Sequence, residues 1–297
     1  MADPAGTPQE ERPPTFTPMP LRQARAPAPN HQEKDVELET LKVTKKNSVA
    51  TVCMNRPESY NALNDRMAED LLAAMLDVQN DSAVRAVVLT GAPPAFCAGG
   101  DVKAFVSKGD DVSGFIDRMV IPFHAFISHM VRMPKPIIGA VNGTAAGGGL
   151  SIAMACDMVV MHEDAVLSTA YSRIGASPDG SLTYFLVRLL GMRRAMELYL
   201  TNRVLTAAEA LDWGLATRVL PESEFATGVE SLAMELAAGP TQAYGRAKDL
   251  FYHSLNNQLE TQMELEARNI VASSRSYDFK EGTKAFVEKR AAKYEGR

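Results

Sequence analysis

The chain of 297 residues is poor in cysteine. Cys53, Cys97 and Cys156 are odd in number and widely spaced, which argues against a disulfide framework and for a reducing compartment. No Cys-x-x-Cys or His-Glu-x-x-His pattern occurs, so nothing supports a zinc site. Positive charge is not in surplus either. Lys plus Arg is 31 and Asp plus Glu is 36, a net charge of −5, which excludes a binder that works by neutralising nucleic-acid phosphates. The Gly-Lys-Ser/Thr ending of a P-loop is missing. The segment before residue 35 has almost no aliphatic residues, yet it holds eight of the 17 prolines. It cannot bury enough surface to offset its chain entropy, so residues 1–34 are expected to be a disordered Pro-rich tail. They lack the apolar stretch of a secretory signal and the Arg/Ser-rich, acid-poor pattern of a mitochondrial presequence. Cytoplasmic localisation is the expectation.

Hydrophobic residues make up 46% and charged residues 23%, the balance of an ordinary globular chain. Residues 136–156 carry no charge and are long enough to span a bilayer. Five glycines with Asn142, Thr144 and Ser151 fit a buried strand, loop and helix better. Residues 35–43 alternate and predict one strand, and 49–55 a second, antiparallel to it. Asn64 is placed to cap a helix carrying Met67, Leu71, Leu72, Met75 and Leu76. Apolar runs at 84–90, 137–141 and 157–161 read as buried strands, separated by helices, so the core is α/β with βαβ units. Thr206 and Glu209 fit a capping box. Residues 222–292 read as helices, broken at Gly239-Pro240 and around Ser273–Asp278. The core is taken as 35–220 and the helical region as 221–297.

Two glycine segments each follow a buried strand and precede a helix: Phe96-Cys97-Ala98-Gly99-Gly100-Asp101 and Ala145-Ala146-Gly147-Gly148-Gly149-Leu150. Neither has the Gly-x-Gly-x-x-Gly of a dinucleotide fold. Such turns free backbone N–H groups, and two of them can aim donors at one oxygen, as in an oxyanion hole. A tight strand-to-helix turn is the plainer reading of each alone.

Together with Asn55-Arg56-Pro57, Asn61-Ala62-Leu63, PKPIIGAVNGTAAGGG, CDMVV, RIGASPDG and EGTKAFVEKR, these segments resemble the crotonase superfamily of enoyl-CoA hydratases and isomerases over about residues 38–292. The resemblance implies a spiral of ββα units with a C-terminal helical trimerisation layer. It also implies an acyl-CoA substrate, no separate cofactor, and a homotrimer or dimer of trimers. It places the thioester oxygen on the N–H groups of Ala98 and Gly148. Arg56, Asn61, Ala62 and Leu63 match the CoA contact loop, and Gly99, Gly100, Asp101 and Val102 the pantetheine contacts. Phe286 and Lys289 match positions that reach the nucleotide, commonly from a neighbouring subunit. Asp101 also reads as a helix cap.

Hydratases of this superfamily hold a water between two glutamates. Here those positions are Ser151 and Tyr171, which are expected to line the acyl pocket instead. Ser151 also lacks the G-x-S-x-G context of a nucleophile. Asp179, in Ser177-Pro178-Asp179-Gly180, matches the single-acid members. One carboxylate suffices to move a double bond, since it takes a proton from one carbon and returns it two carbons away. A Pro-Asp-Gly turn is the plainer alternative. The expectation is a Δ3,Δ2-enoyl-CoA isomerase. A hydratase or a phenylacetate-type epoxide isomerase stands as the alternative, and a non-catalytic acyl-CoA binder comes behind. His124 and His129, five apart on a helix, read as ordinary helix residues. The resemblance places residues 110–125 around the acyl pocket, where Phe115, Ile116, Met119, Ile121 and Phe123 suggest an apolar acyl group.

Overall fold

Alternation of apolar and polar residues decides the first three strands of the structure, a computed structural model that describes residues 34–297. Apart from Lys34, the expected tail lies outside the described residues. Strands β1 (Lys34–Leu38), β2 (Leu41–Lys46) and β3 (Val49–Met54) form an antiparallel meander. Leu41 and Val43 of β2 and Ala50, Val52 and Met54 of β3 face the core. The stretch read as one strand over 35–43 is two, because the chain turns at Glu39-Thr40. There the backbone N–H and hydroxyl of Thr40 donate to Asp70 Oδ2 at 2.9 and 2.8 Å. Asp70 is buried, so it needs those donors.

Helix α1 (Asp65–Asn80) is capped by Asn64, whose side chain accepts from the Met67 N–H at 2.8 Å. It buries Met67, Leu71, Met75 and Val78. Strand β4 (Ala86–Gly91) then pairs parallel to β3, which requires a crossover such as α1. The chain continues through β5 (Ala95–Cys97), α2 (Val102–Ser107), α3 (Val112–Arg132) and β6 (Ile137–Val141). Next come β7 (Thr144–Ala146), α4 (Gly148–Ala155), β8 (Met158–His162) and β9 (Val166–Ser168). The uncharged run 136–156 is thus β6, β7 and α4, and every residue of α4 is buried. No helix among the described residues is long and apolar enough to cross a membrane.

After α5 (Leu182–Thr201) come β10 (Val204–Thr206), α6 (Ala207–Asp212) and β11 (Arg218–Leu220). The Thr206–Glu209 capping box forms as expected. The large sheet runs β1-β2-β3-β4-β6-β8-β11 and the small one β10-β9-β7-β5. From β4 onward each pass of the chain gives one strand to the large sheet and a neighbouring one to the small sheet. That is the ββα spiral.

Helix α7 (Glu222–Ala237) seals one face of the large sheet, setting Val229, Leu232 and Ala233 against Val88, Ile138, Ala140 and Val160. Helices α8 (Thr241–Ser254), α9 (Leu259–Ser274) and α10 (Tyr277–Val287) follow; the breaks at Gly239-Pro240 and around Ser273–Asp278 fall as expected, and a further one falls at 255–258. α9 buries none of its residues.

Candidate functional site

Strands β5 and β7 pair in parallel, so the turns leaving their C-terminal ends lie side by side. Glycine lets those turns touch. A Cβ on Gly149 would lie 2.0 Å from the Cys97 carbonyl oxygen, and one on Gly148 would lie 2.6 Å from Leu63 Cδ1. Gly99 has φ of +94° and Gly147 of +51°, conformations that suit glycine. Gly148 is the first residue of α4, so its N–H has no acceptor within the helix and sits at the positive end of the dipole. The Ala98 N–H differs: it donates to the Tyr60 carbonyl at 3.0 Å. Of the two expected oxyanion donors, a ligand oxygen must compete with Tyr60 for one.

The loop that holds Tyr60 is braced by its own polar side chains. Asn61 is fully buried. Its amide donates to the carbonyls of Ala92 and Ala95 at 2.8 and 2.7 Å and accepts from the Arg56 N–H at 2.9 Å. The Arg56 guanidinium donates to the Ala62 carbonyl at 2.5 Å and to Asp101 at 3.0 Å. Asp101 also caps α2 by accepting from the Ala104 N–H at 3.1 Å. The side chains of Arg56, Asn61 and Asp101 therefore serve the loop, where the resemblance implied contacts to CoA. Ala62 is buried, while Leu63, Gly99, Gly100 and Val102 line the cavity in front of the turns.

That cavity measures about 570 Å³. Phe105, Ile116, Met119 and Phe123 make its walls apolar. Ile121, grouped with them in the sequence, is instead 66% exposed. Phe115 is buried edge-on against Phe105. Asp179 is the one carboxylate among the described lining residues. His124 Nε2 lies 2.5 Å from Asp179 Oδ1. This contact joins residues 55 apart and leaves no local trace. The available signal was a titratable ring inside the apolar stretch from Met119 to Ile127 of α3.

Ser151 and Tyr171 stand where a hydratase has its glutamates. Ser151 is fully buried and off the cavity wall. Its hydroxyl donates to the Asp179 carbonyl at 2.7 Å. Tyr171 lines the cavity, with its hydroxyl 3.2 Å from the same carbonyl and 3.2 Å from Ser151 Oγ. Burial pushes the Tyr171 hydroxyl up to about 12, so it remains a donor at neutral pH. Burial likewise pushes the Cys97 thiol up to about 12, which leaves it a packing residue. Phe286 and Lys289 are exposed at the end of α10 and do not line the cavity of their own chain. Among the described residues no three His, Cys, Asp or Glu side chains gather as a metal site.

The sequence profile of the enoyl-CoA hydratase/isomerase family matches residues 44–297. The chain belongs to that family. Among relatives of this family member is 4-chlorobenzoyl coenzyme A dehalogenase-1 of Arthrobacter sp, 36% identical over 226 residues, covering 76% of this chain and 82% of that one. Another is 1,2-epoxyphenylacetyl-CoA isomerase of Escherichia coli (strain K12), 35% identical over 253 residues, with coverages of 84% and 95%. The solved enoyl-CoA hydratase from Polaromonas sp. JS666 superposes with a TM-score of 0.82 at 30% identity, covering 86% of this chain and 99% of that one. The spiral of paired strands is thus the crotonase fold, and the chain is an acyl-CoA-binding enzyme of that superfamily.

Proposed function

We propose that the chain is a Δ3,Δ2-enoyl-CoA isomerase in which Asp179 is the single acid–base. The observation that carries this is one carboxylate among the described residues of an apolar cavity that Gly148 also lines, with no carboxylate at the hydratase positions. Gly148, with Ala98 once Tyr60 yields, polarises the thioester carbonyl. Each such donor contributes about 3 kcal/mol to holding the developing enolate. Asp179 takes the proton from the carbon beside the thioester and returns it two carbons away. His124 holds Oδ1, leaving the other carboxylate oxygen to carry the proton. No cofactor is needed, and no water enters.

A second reading is favoured by the His124–Asp179 contact and by the dehalogenase relative. A carboxylate can attack a ring carbon bearing halide and expel it, and an adjacent imidazole can accept the proton of the water that opens the resulting ester. An epoxide isomerase, like the second relative, would use the same carboxylate.

The exposed apolar residues of α8 to α10, among them Phe251, Leu259, Met263, Ile270 and Phe286, support a homotrimer or dimer of trimers. In such an assembly Phe286 and Lys289 meet a neighbour's nucleotide. Three free cysteines suit a cytoplasmic enzyme.

The test is turnover of a 3-enoyl-CoA, crotonyl-CoA and 4-chlorobenzoyl-CoA by the protein and by Asp179→Asn. Isomerisation of the first that falls about a hundredfold or more in the variant supports the proposal. Faster hydration of crotonyl-CoA, or an unaffected variant, overturns it. Chloride release would select the second reading, and acyl-CoA binding with no turnover a purely binding role.

A further inference from the structure

Asp179 does not reach the cavity on a regular element. It sits in a turn whose next two residues, Gly180 and Ser181, have φ of +60° and +69°. Left-handed backbone at a serine is costly and persists only where the surroundings impose it. Three donors converge on the Asp179 carbonyl: the Ser151 hydroxyl at 2.7 Å, the Tyr171 hydroxyl at 3.2 Å, and the Leu182 N–H that opens α5 at 3.3 Å. The turn is also pressed onto its neighbours. A Cβ on Gly180 would lie 2.4 Å from Phe123 Cε1 and 3.0 Å from Ser151 Cβ.

We infer that Ser151 and Tyr171 are positioning residues for Asp179, clamping its backbone carbonyl and so fixing where its carboxylate meets the cavity. The inference rests on Asp179 being the acid–base proposed above. Ser151 lies three residues after Gly148 on the same short helix. One rigid element therefore carries both the thioester donor and the shorter bond of the clamp, while Tyr171 supplies the other bond from outside α4. The two positions that hold catalytic water in a hydratase here hold backbone. Loss of the clamp frees the strained turn, and the carboxylate leaves His124.

The test uses the full chain and the variants Ser151→Ala, Tyr171→Phe, their double, and each combined with Asp179→Asn. With whichever of 3-enoyl-CoA or 4-chlorobenzoyl-CoA the protein turns over, the double variant should lose about tenfold to a hundredfold in kcat, as a carboxylate displaced by about 1 Å would. KM should move less than kcat, because Ser151 lies off the cavity wall and Tyr171→Phe keeps the ring that lines it. On the Asp179→Asn background the clamp substitutions should cost nothing more.

A second readout needs no substrate. The chain has five histidines, so the His124 ring signals are assignable by NMR. They should move in the double variant toward their positions in Asp179→Asn. Unchanged His124 signals and kcat in a folded double variant overturn the clamp, as does a fall in melting temperature with both unchanged. Full turnover by Asp179→Asn overturns the proposed function instead, and the His124 signals still decide the clamp.

Discussion

At the scale of single residues, Asn61 ties its loop to the carbonyls of Ala92 and Ala95, and Gly149 lets α4 lie against the Cys97 carbonyl. The glycines after β5 and β7 were legible in the sequence, because each turn follows a buried strand and the glycines interrupt an apolar run; Asp179 stood out only through the resemblance. The partners of these groups were not legible. Nothing near Asn61 announces that its amide closes three hydrogen bonds to residues 56, 92 and 95. Nothing near His124 announces Asp179. Both depend on contacts that exist only after the spiral closes. The buried amide supplies a prediction: Asn61→Ala removes the partner of two carbonyls and one N–H in a loop where Asn61 is fully buried. It should cost about 3 kcal/mol, read as a shift of the denaturant midpoint. A wild-type midpoint would show that water replaces the amide. Gly149→Ala belongs to the same scale. Its Cβ meets the Cys97 carbonyl, which is backbone and cannot rotate away. A loss of about 3 kcal/mol is expected, with the two turns forced apart and turnover lost.

At the scale of elements, periodicity located β3, β4, β6 and β8 to within about two residues, and the caps at Asn64 and Thr206 marked the starts of α1 and α6. It failed where a tertiary contact set the boundary. The single strand read over 35–43 breaks because Thr40 is drawn onto the buried Asp70, and no local pattern encodes that. The C-terminal helices show a reverse case, in which local charges keep an end in place. The Arg290 guanidinium donates to Glu281 at 2.6 and 2.8 Å and holds its carboxyl down at about 2. A carboxylate depressed on folding stabilises above its ordinary value of 4.5, and that contribution is lost as pH falls toward 2. Amide protection factors around Arg290 to Lys293, taken against the intrinsic rate at each pH, should therefore fall on acidification through that window. In Arg290→Gln they should already be low at neutral pH and change little with acid. Equal protection in the two proteins at neutral pH would show that the pair does not hold this end.

At the scale of the whole molecule, the two sheets exist to bring two turns and one short helix together. β5 and β7 align the turns, α4 aims Gly148, and the turn before α5 returns Asp179 to the same cavity. The outer layer is unfinished in a lone chain. α9 buries nothing, and Leu259, Met263, Ile270 and Val271 stand exposed on it. Sedimentation should find three or six copies together, and a stable monomer would contradict that assembly. The resemblance supplied the spiral and implied oxyanion donors at Ala98 and Gly148. It did not supply the occupied Ala98 N–H, because hydrogen bonding between two loops is a property of the folded chain alone.

The most direct test is the crystal structure of the protein with a bound 3-enoyl-CoA thioether or another unreactive acyl-CoA. The account predicts the acyl oxygen, or the atom in its place, at the Gly148 N–H, with Tyr60 withdrawn from Ala98. It also predicts the Asp179 carboxylate within about 3.5 Å of the carbon beside it, the approach that proton transfer needs. An acyl group seated away from Gly148, or an Asp179 that stays out of reach of that carbon, would contradict it.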